Sequence, residues 1–139
     1  FMNTQVPFQA LLGLEITEFN PARGEIRFKW QEQLMGNVPQ RMLHGGVTAT
    51  ALDTAGGLVA IAGMVDRLES PTEAYLMERL SRCGTIDLRV DYLRPGRGTE
   101  FIASATIIRS GNKVAVARME LHNEEGTHIA FGTGTYLVG

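Results

Sequence analysis

Hydrophobic and polar positions change period twice along this 139-residue chain. Pro7–Gly13 (PFQALLG) reads as a short helix closed by Gly13. Leu14–Phe19 and Glu25–Trp30 then alternate apolar and polar side chains on either side of Asn20-Pro21-Ala22-Arg23-Gly24, the pattern of a β-hairpin. Gln33–Leu43, interrupted by Gly36, Asn37 and Pro39, carries neither period and reads as irregular. Gly45–Met64 is the one long helix. It is apolar nearly all round, so other elements must wrap it. Gly56-Gly57 inside it costs roughly 0.8–1 kcal/mol per glycine relative to Ala in an exposed helix. Close packing against a backbone accounts for the pair, and a helix break is the alternative. Ser70-Pro71-Thr72-Glu73 reads as the N-cap, first-turn proline and capping acid of a second helix reaching about Leu80.

Beyond Gly84 the period becomes two. Thr85–Leu93, Glu100–Arg109, Lys113–His122 and Thr127–Val138 are rich in Ile, Val, Thr and aromatics, as strands are. Pro95-Gly96-Arg97-Gly98, Gly111-Asn112 and Glu124-Glu125-Gly126 separate them, with Gly111 expected at the positive-φ position of a tight hairpin. A sheet of about six strands must bury one face, and the long helix is the only large element available to cover it. The prediction is an α+β fold in one domain over residues 1–139: an antiparallel sheet wrapped around one central helix, with short helices beside it. Its exposed edges invite pairing with a second copy.

Composition narrows the class. At 44% hydrophobic and 20% charged residues the chain is an ordinary globular protein, and Gly45–Val65 reads as a core helix rather than a membrane span. No secretory leader is recognised, and Phe1 ahead of Met2 reads as the remnant of an expression tag. The single Cys83 excludes an internal disulfide and a cysteine metal cluster, and fits the reducing cytoplasm. The net charge of −2 hides six basic against two acidic residues between Leu88 and Arg118. A local basic patch on an acidic chain suits a small polyanion better than nucleic acid.

The candidate chemistry lies in HGGVTATALDTAGG. From Gly45 to Val65 the only ionisable side chain is Asp53, and a carboxylate buried among Ala, Leu and Gly costs several kcal/mol unless it is paired, hydrogen-bonded or protonated. Gly45-Gly46 lets a helix start approach a ligand and offer it free N–H groups. Together these are two components of an acyl-transfer site. Nine residues of α-helix span about 13 Å, however, so Gly45 and Asp53 of one chain do not reach a common carbonyl. The geometry closes when one subunit supplies Gly45 and its twin supplies Asp53. Leu52, Leu58, Val59 and Val90 are the apolar candidates for an acyl pocket, whose lack of polar residues favours a medium or long fatty chain. His122 and His128 read as solvated surface residues.

LHGGVTATALDTAGG, RLSRCGTIDLRVDYLRPGRG and SGNKVAVARMELHNEEG resemble the hotdog-fold thioesterases of the PaaI-like branch, and within it the YigI-type acyl-CoA thioesterases most nearly. The resemblance implies hydrolysis of fatty acyl-CoA to the free acid and coenzyme A. It implies Asp53 as the catalytic carboxylate, Gly45 as the oxyanion donor with Gly46 adjacent, and His44 shaping the site. Thr85 stands where relatives carry an assisting hydroxyl. A polar amide that relatives place six residues before the histidine is replaced by Val38, which leaves Asn37 and Gln40 as candidates. Arg94, Arg109 and Lys113 match the residues that meet coenzyme A phosphates and adenine. A homodimer joined sheet edge to edge, paired again into a tetramer, is implied, without metal, added cofactor, nucleic acid or membrane. A non-catalytic acyl-CoA sensor and an acyl-thioester dehydratase or hydratase are the alternatives on the same fold.

Overall fold

The computed structural model describes residues 6–139, so Phe1 and Met2 lie outside the described residues. Helix α1 (Pro7–Leu12) ends at Gly13 in the left-handed region (φ 72°), whose N–H returns to the carbonyls of Gln9 and Ala10. Strands β1 (Glu15–Asn20) and β2 (Arg23–Lys29) form the expected hairpin. Its turn is tighter than the sequence suggests, because Asn20 Oδ1 accepts from the N–H groups of both Ala22 and Arg23 at 2.9 Å.

The stretch read as irregular is ordered. A 3-10 turn (Glu32–Leu34) leads into a two-stranded ribbon of β3 (Met35–Asn37) and β4 (Met42–Leu43). These strands are too short to leave a periodic signal.

Helix α2 (Gly45–Asp66) follows, then α3 (Glu73–Ser81). The N-cap of α3 is Thr72, whose Oγ1 accepts from Tyr75 N–H at 3.1 Å, and not Ser70 as expected. Ser70 sits at φ 42°, outside the extended conformation a cap adopts, which moves the helix start beyond Pro71.

The remaining strands are β5 (Gly84–Tyr92), β6 (Glu100–Ser110), β7 (Val114–Asn123) and β8 (His128–Leu137). The β6–β7 hairpin closes through Gly111 N–H to Val114 C=O at 2.9 Å. Gly111 is not at positive φ, contrary to expectation.

Six strands make one antiparallel sheet in the order β1-β2-β6-β7-β8-β5. Helix α2 lies across its inner face and packs on β2, β6, β7 and β8. Leu52, Leu58, Val59 and Met64 interlock there with Ile26, Phe101, Met119 and Leu121. Each such side chain contributes roughly 1.5–3 kcal/mol by leaving water. Gly45–Asp66 is long and apolar enough to cross a membrane, but here it is the core helix.

The helix runs unbroken through Gly56-Gly57. A Cβ at Gly56 would lie 2.3 Å from the Tyr136 hydroxyl, and one at Gly134 would lie 2.5 Å from the same atom. The glycine in the helix therefore makes room for a tyrosine side chain rather than a neighbouring backbone.

Candidate functional site

The start of α2 is built from backbone. His44 caps it in extended conformation, and its Nδ1 accepts from Gly46 N–H at 2.8 Å. A neutral imidazole in this arrangement carries its proton on Nε2. The N–H of Gly46, the residue adjacent to Gly45, is therefore spent within the chain. Val47 and Thr48 donate to the His44 carbonyl. Among the described residues Gly45 N–H has no protein acceptor, and it lies at the end where the helix dipole is positive. Tyr92, which sequence reasoning quoted only as part of a motif, donates its hydroxyl to Gly45 C=O at 2.6 Å. A Cβ on Gly45 would lie 3.3 Å from that hydroxyl. A cavity of about 350 Å³ opens here, lined by Gly45, Thr48, Tyr92, Arg94 and Ile129 among others.

Asp53 lies two turns further along. It is half-buried, not enclosed as the apolar run suggested. Among the described residues no cation pairs with it. Its Oδ1 accepts one hydrogen bond, from Thr85 Oγ1 at 2.9 Å. The strand-opening hydroxyl and the helix acid thus meet. Tyr136 donates its hydroxyl to the Asp53 backbone carbonyl at 3.2 Å. Burial first, and the neighbouring Asp53 charge second, push this phenol above its ordinary range. It stays protonated and acts as a fixed donor. Its position in an alternating strand gave no sign of this.

Asp53, Gly57, Ala60 and Ile61 share one face of α2, by helical spacing. The last three line a groove of about 230 Å³ with Leu80, Cys83, Gly84, Thr85, Tyr136, Leu137 and Val138. Leu52, Leu58 and Val59, expected to line an acyl pocket, are instead fully buried in the core. Val90 is half-buried on β5. The helix face that meets the groove is one residue register away from the face that meets the sheet. Burial raises the Cys83 thiol pKa, an effect Arg79 and Arg82 only partly oppose. That disfavours a nucleophilic role.

The basic residues do not form one patch. Arg94 lines the Gly45 cavity and donates to His128 C=O at 2.9 Å. Arg109 and Lys113 lie at the other end of the sheet. Tyr92 pairs with Ala130, while Arg109 pairs with Val116 and through it with Thr135. Five strand residues separate the two levels, about 17 Å. Gln40 is held by Arg97, whose guanidinium meets the Gln40 Oε1 at 2.6 Å and its carbonyl at 3.0 Å. Asn37 uses its Oδ1 to accept from Gln40 N–H within its own turn. Both are exposed, and these hydrogen bonds join them to each other and to Arg97.

Residues 40–130 match the model of the thioesterase superfamily. The chain belongs to this superfamily. Two curated relatives, the medium/long-chain acyl-CoA thioesterase YigI of Escherichia coli and that of Salmonella typhimurium, are each 53% identical over 134 residues, covering 96% of this chain and 86% of theirs. A crystal structure of a Shewanella oneidensis protein related to the thioesterase superfamily superposes with a TM-score of 0.93 at 55% identity, over 98% of this chain and 89% of that one. The Bacillus halodurans protein BH2602, crystallised with CoA, superposes with a TM-score of 0.73 at 27% identity, over 98% and 78%. The sheet curled around α2 is the hotdog fold of these thioesterases.

Proposed function

We propose that the chain acts as a single catalytic domain that hydrolyses medium- to long-chain fatty acyl-CoA to the free acid and coenzyme A. The observation that carries this reading is Asp53. Among the described residues it has no cation beside it and one hydroxyl partner, on the helix whose first N–H is unclaimed. A half-buried carboxylate with no counter-charge among the described residues is available as a base or nucleophile. The names of the YigI relatives and the CoA-bound Bacillus protein support the substrate.

Helix geometry puts about 12 Å between Gly45 and Asp53; Gly45 lines one cavity, and Thr85, the hydrogen-bond partner of Asp53, lines the other. The active assembly is therefore a homodimer in which two β5 strands, each paired on one side only with β8, meet edge to edge. A dimer of dimers extends it. Gly45 N–H of one protomer holds the thioester carbonyl oxygen as it gains charge. Asp53 of the twin, oriented by Thr85, acts on the carbonyl carbon through water or directly. His44 fixes the helix start beside the thioester. Arg94, next to the Gly45 cavity, meets a coenzyme A phosphate, and Arg109 and Lys113 of the twin are the second cationic contact. The groove beside Thr85 takes the acyl chain. No added cofactor enters the reaction, and the free Cys83 fits a cytoplasmic setting.

Release of free thiol, followed with a chromogenic reagent across acyl-CoA chain lengths, tests the reading. Turnover rising from short to medium and long chains is expected. Binding without thiol release marks the sensor alternative, and loss of the double bond from enoyl-CoA marks the hydratase alternative. Heavy oxygen passing from water into the Asp53 carboxylate under single turnover identifies an anhydride opened by water at the Asp53 carbonyl.

A further inference from the structure

We propose that Glu120, His122 and His128 form a binding site for a divalent first-row transition-metal ion, zinc in particular, on the sheet face turned away from α2. Alternation along β7 buries Ala117, Met119 and Leu121 against the core. It turns Glu120 and His122 to the opposite face. His128 is the register partner of His122 on β8. The two imidazoles lie parallel, with centroids 4.6 Å apart and planes at 11°. One ligand atom from each of the three residues lies within 4.8 Å of the other two, and all three side chains are half-buried.

A second observation points to a ligand. His128 Nε2 is shielded from solvent and has no hydrogen-bond partner among the described residues. The Glu120 Oε1 facing it is 3.8 Å away, beyond hydrogen-bond reach. Shielded polar atoms in native proteins almost always have a partner, and an orphaned one signals an ion or water. A cation between the imidazoles and the carboxylate would complete this group.

The donor set selects the metal class. Two imidazoles and a carboxylate suit zinc, copper or nickel, whereas calcium and magnesium require shells of oxygen. Zinc bonds of about 2.0–2.2 Å place ligand atoms roughly 3.3 Å apart. The cluster reaches that spacing by side-chain rotation, with the strands already in register. Arg118 opposes binding, since its guanidinium lies 3.5 Å from Glu120 Oε1 and is also drawn over the Phe131 ring at 4.6 Å. The bond from Arg94 to His128 C=O joins the site to the wall of the Gly45 cavity. An ion here would fasten β7 to β8 across their turn and take no part in thioester cleavage.

Chelator-treated protein titrated with zinc chloride, read by calorimetry and thermal melting, tests the site. One equivalent per chain and a raised Tm are expected, with no response to magnesium. His122→Ala and His128→Ala should each abolish uptake, and Glu120→Gln should weaken it at least tenfold. Arg118→Gln should bind zinc several-fold more tightly. Circular dichroism checks that each variant remains folded. Absence of zinc uptake by the wild type, or uptake unchanged in both histidine variants, overturns the proposal.

Discussion

The start and the middle of α2 solve opposite problems. At the start, among the described residues, three of the first four backbone N–H groups are tied down. His44 caps Gly46, Tyr92 holds the Gly45 carbonyl, and the following N–H groups return to His44. What remains is a single donor whose direction the protein has fixed in advance. In the middle the backbone is fixed, with Tyr136 bonded to the Asp53 carbonyl, while among the described residues the carboxylate itself has only Thr85. One end offers a rigid dipole and the other a charge free to react. Electrostatic stabilisation of an oxyanion needs the first, and proton transfer or nucleophilic attack needs the second.

Removing the charge should give the largest effect. Asp53→Ala is expected to lower kcat by about 10²–10⁴ with acyl-CoA binding retained, and Asp53→Asn to lower it less. Steady-state kinetics beside an equilibrium binding assay reads both. Near-normal hydrolysis by folded Asp53→Ala would eliminate the assignment.

Removing the donor comes next. Proline fits the first helical position without an N–H of its own, and His44 already has the extended conformation that precedes proline. Gly45→Pro should therefore keep the helix and lose about 10²–10³ in kcat. Mixing it with Asp53→Ala joins the two regions. Heterodimers would regain one intact site of two, so a random mixture should recover about a quarter of wild-type turnover. No recovery would mean that the two groups act within one chain.

A smaller effect is expected from Thr85→Val. It deletes one hydrogen bond to a charged group, worth about 1.5 kcal/mol or roughly tenfold in kcat. Because Thr85 is exposed, Tm should hardly move.

A control away from both regions comes last. Glu25 is penalised by burial, but hydrogen bonds from Thr17, Arg23 and Arg27 outweigh this and bring its pKa from 4.5 to about 2. The folded state thus prefers the ionised form. Its contribution is complete above about 4.5 and disappears as pH falls towards 2. Glu25→Gln should cost about 1–2 kcal/mol at neutral pH. The loss should shrink across that window in denaturant melts, with kcat unchanged.

Much of this arrangement was legible in the residues. Alternation located all six strands of the main sheet, and the one long apolar run located the helix that covers it. The His44-Gly45-Gly46 and Asp53 spacing supplied both halves of the candidate site. Other features depend on tertiary contacts that no local pattern encodes. Asp53 looked buried because its neighbours in sequence are apolar, yet it faces the β5 edge of the sheet, where its partner Thr85 is exposed. Arg94 and Arg109 are close in the chain but stand at opposite ends because β6 runs back along the sheet. The β3–β4 ribbon is too brief to carry a period. The roles of Tyr92 and Tyr136 depend on which carbonyl each hydroxyl reaches.

The slot that holds Tyr136 limits how this protein can drift. Its phenol fits between Gly56 and Gly134 with no room for even a methyl group at either, and its hydroxyl ends on the residue that carries the acid. A library randomised at positions 56 and 134 should return glycine at both when selected for turnover. Alanine at either should be recovered only alongside a smaller residue at 136. Three positions far apart in the chain would then change together or not at all.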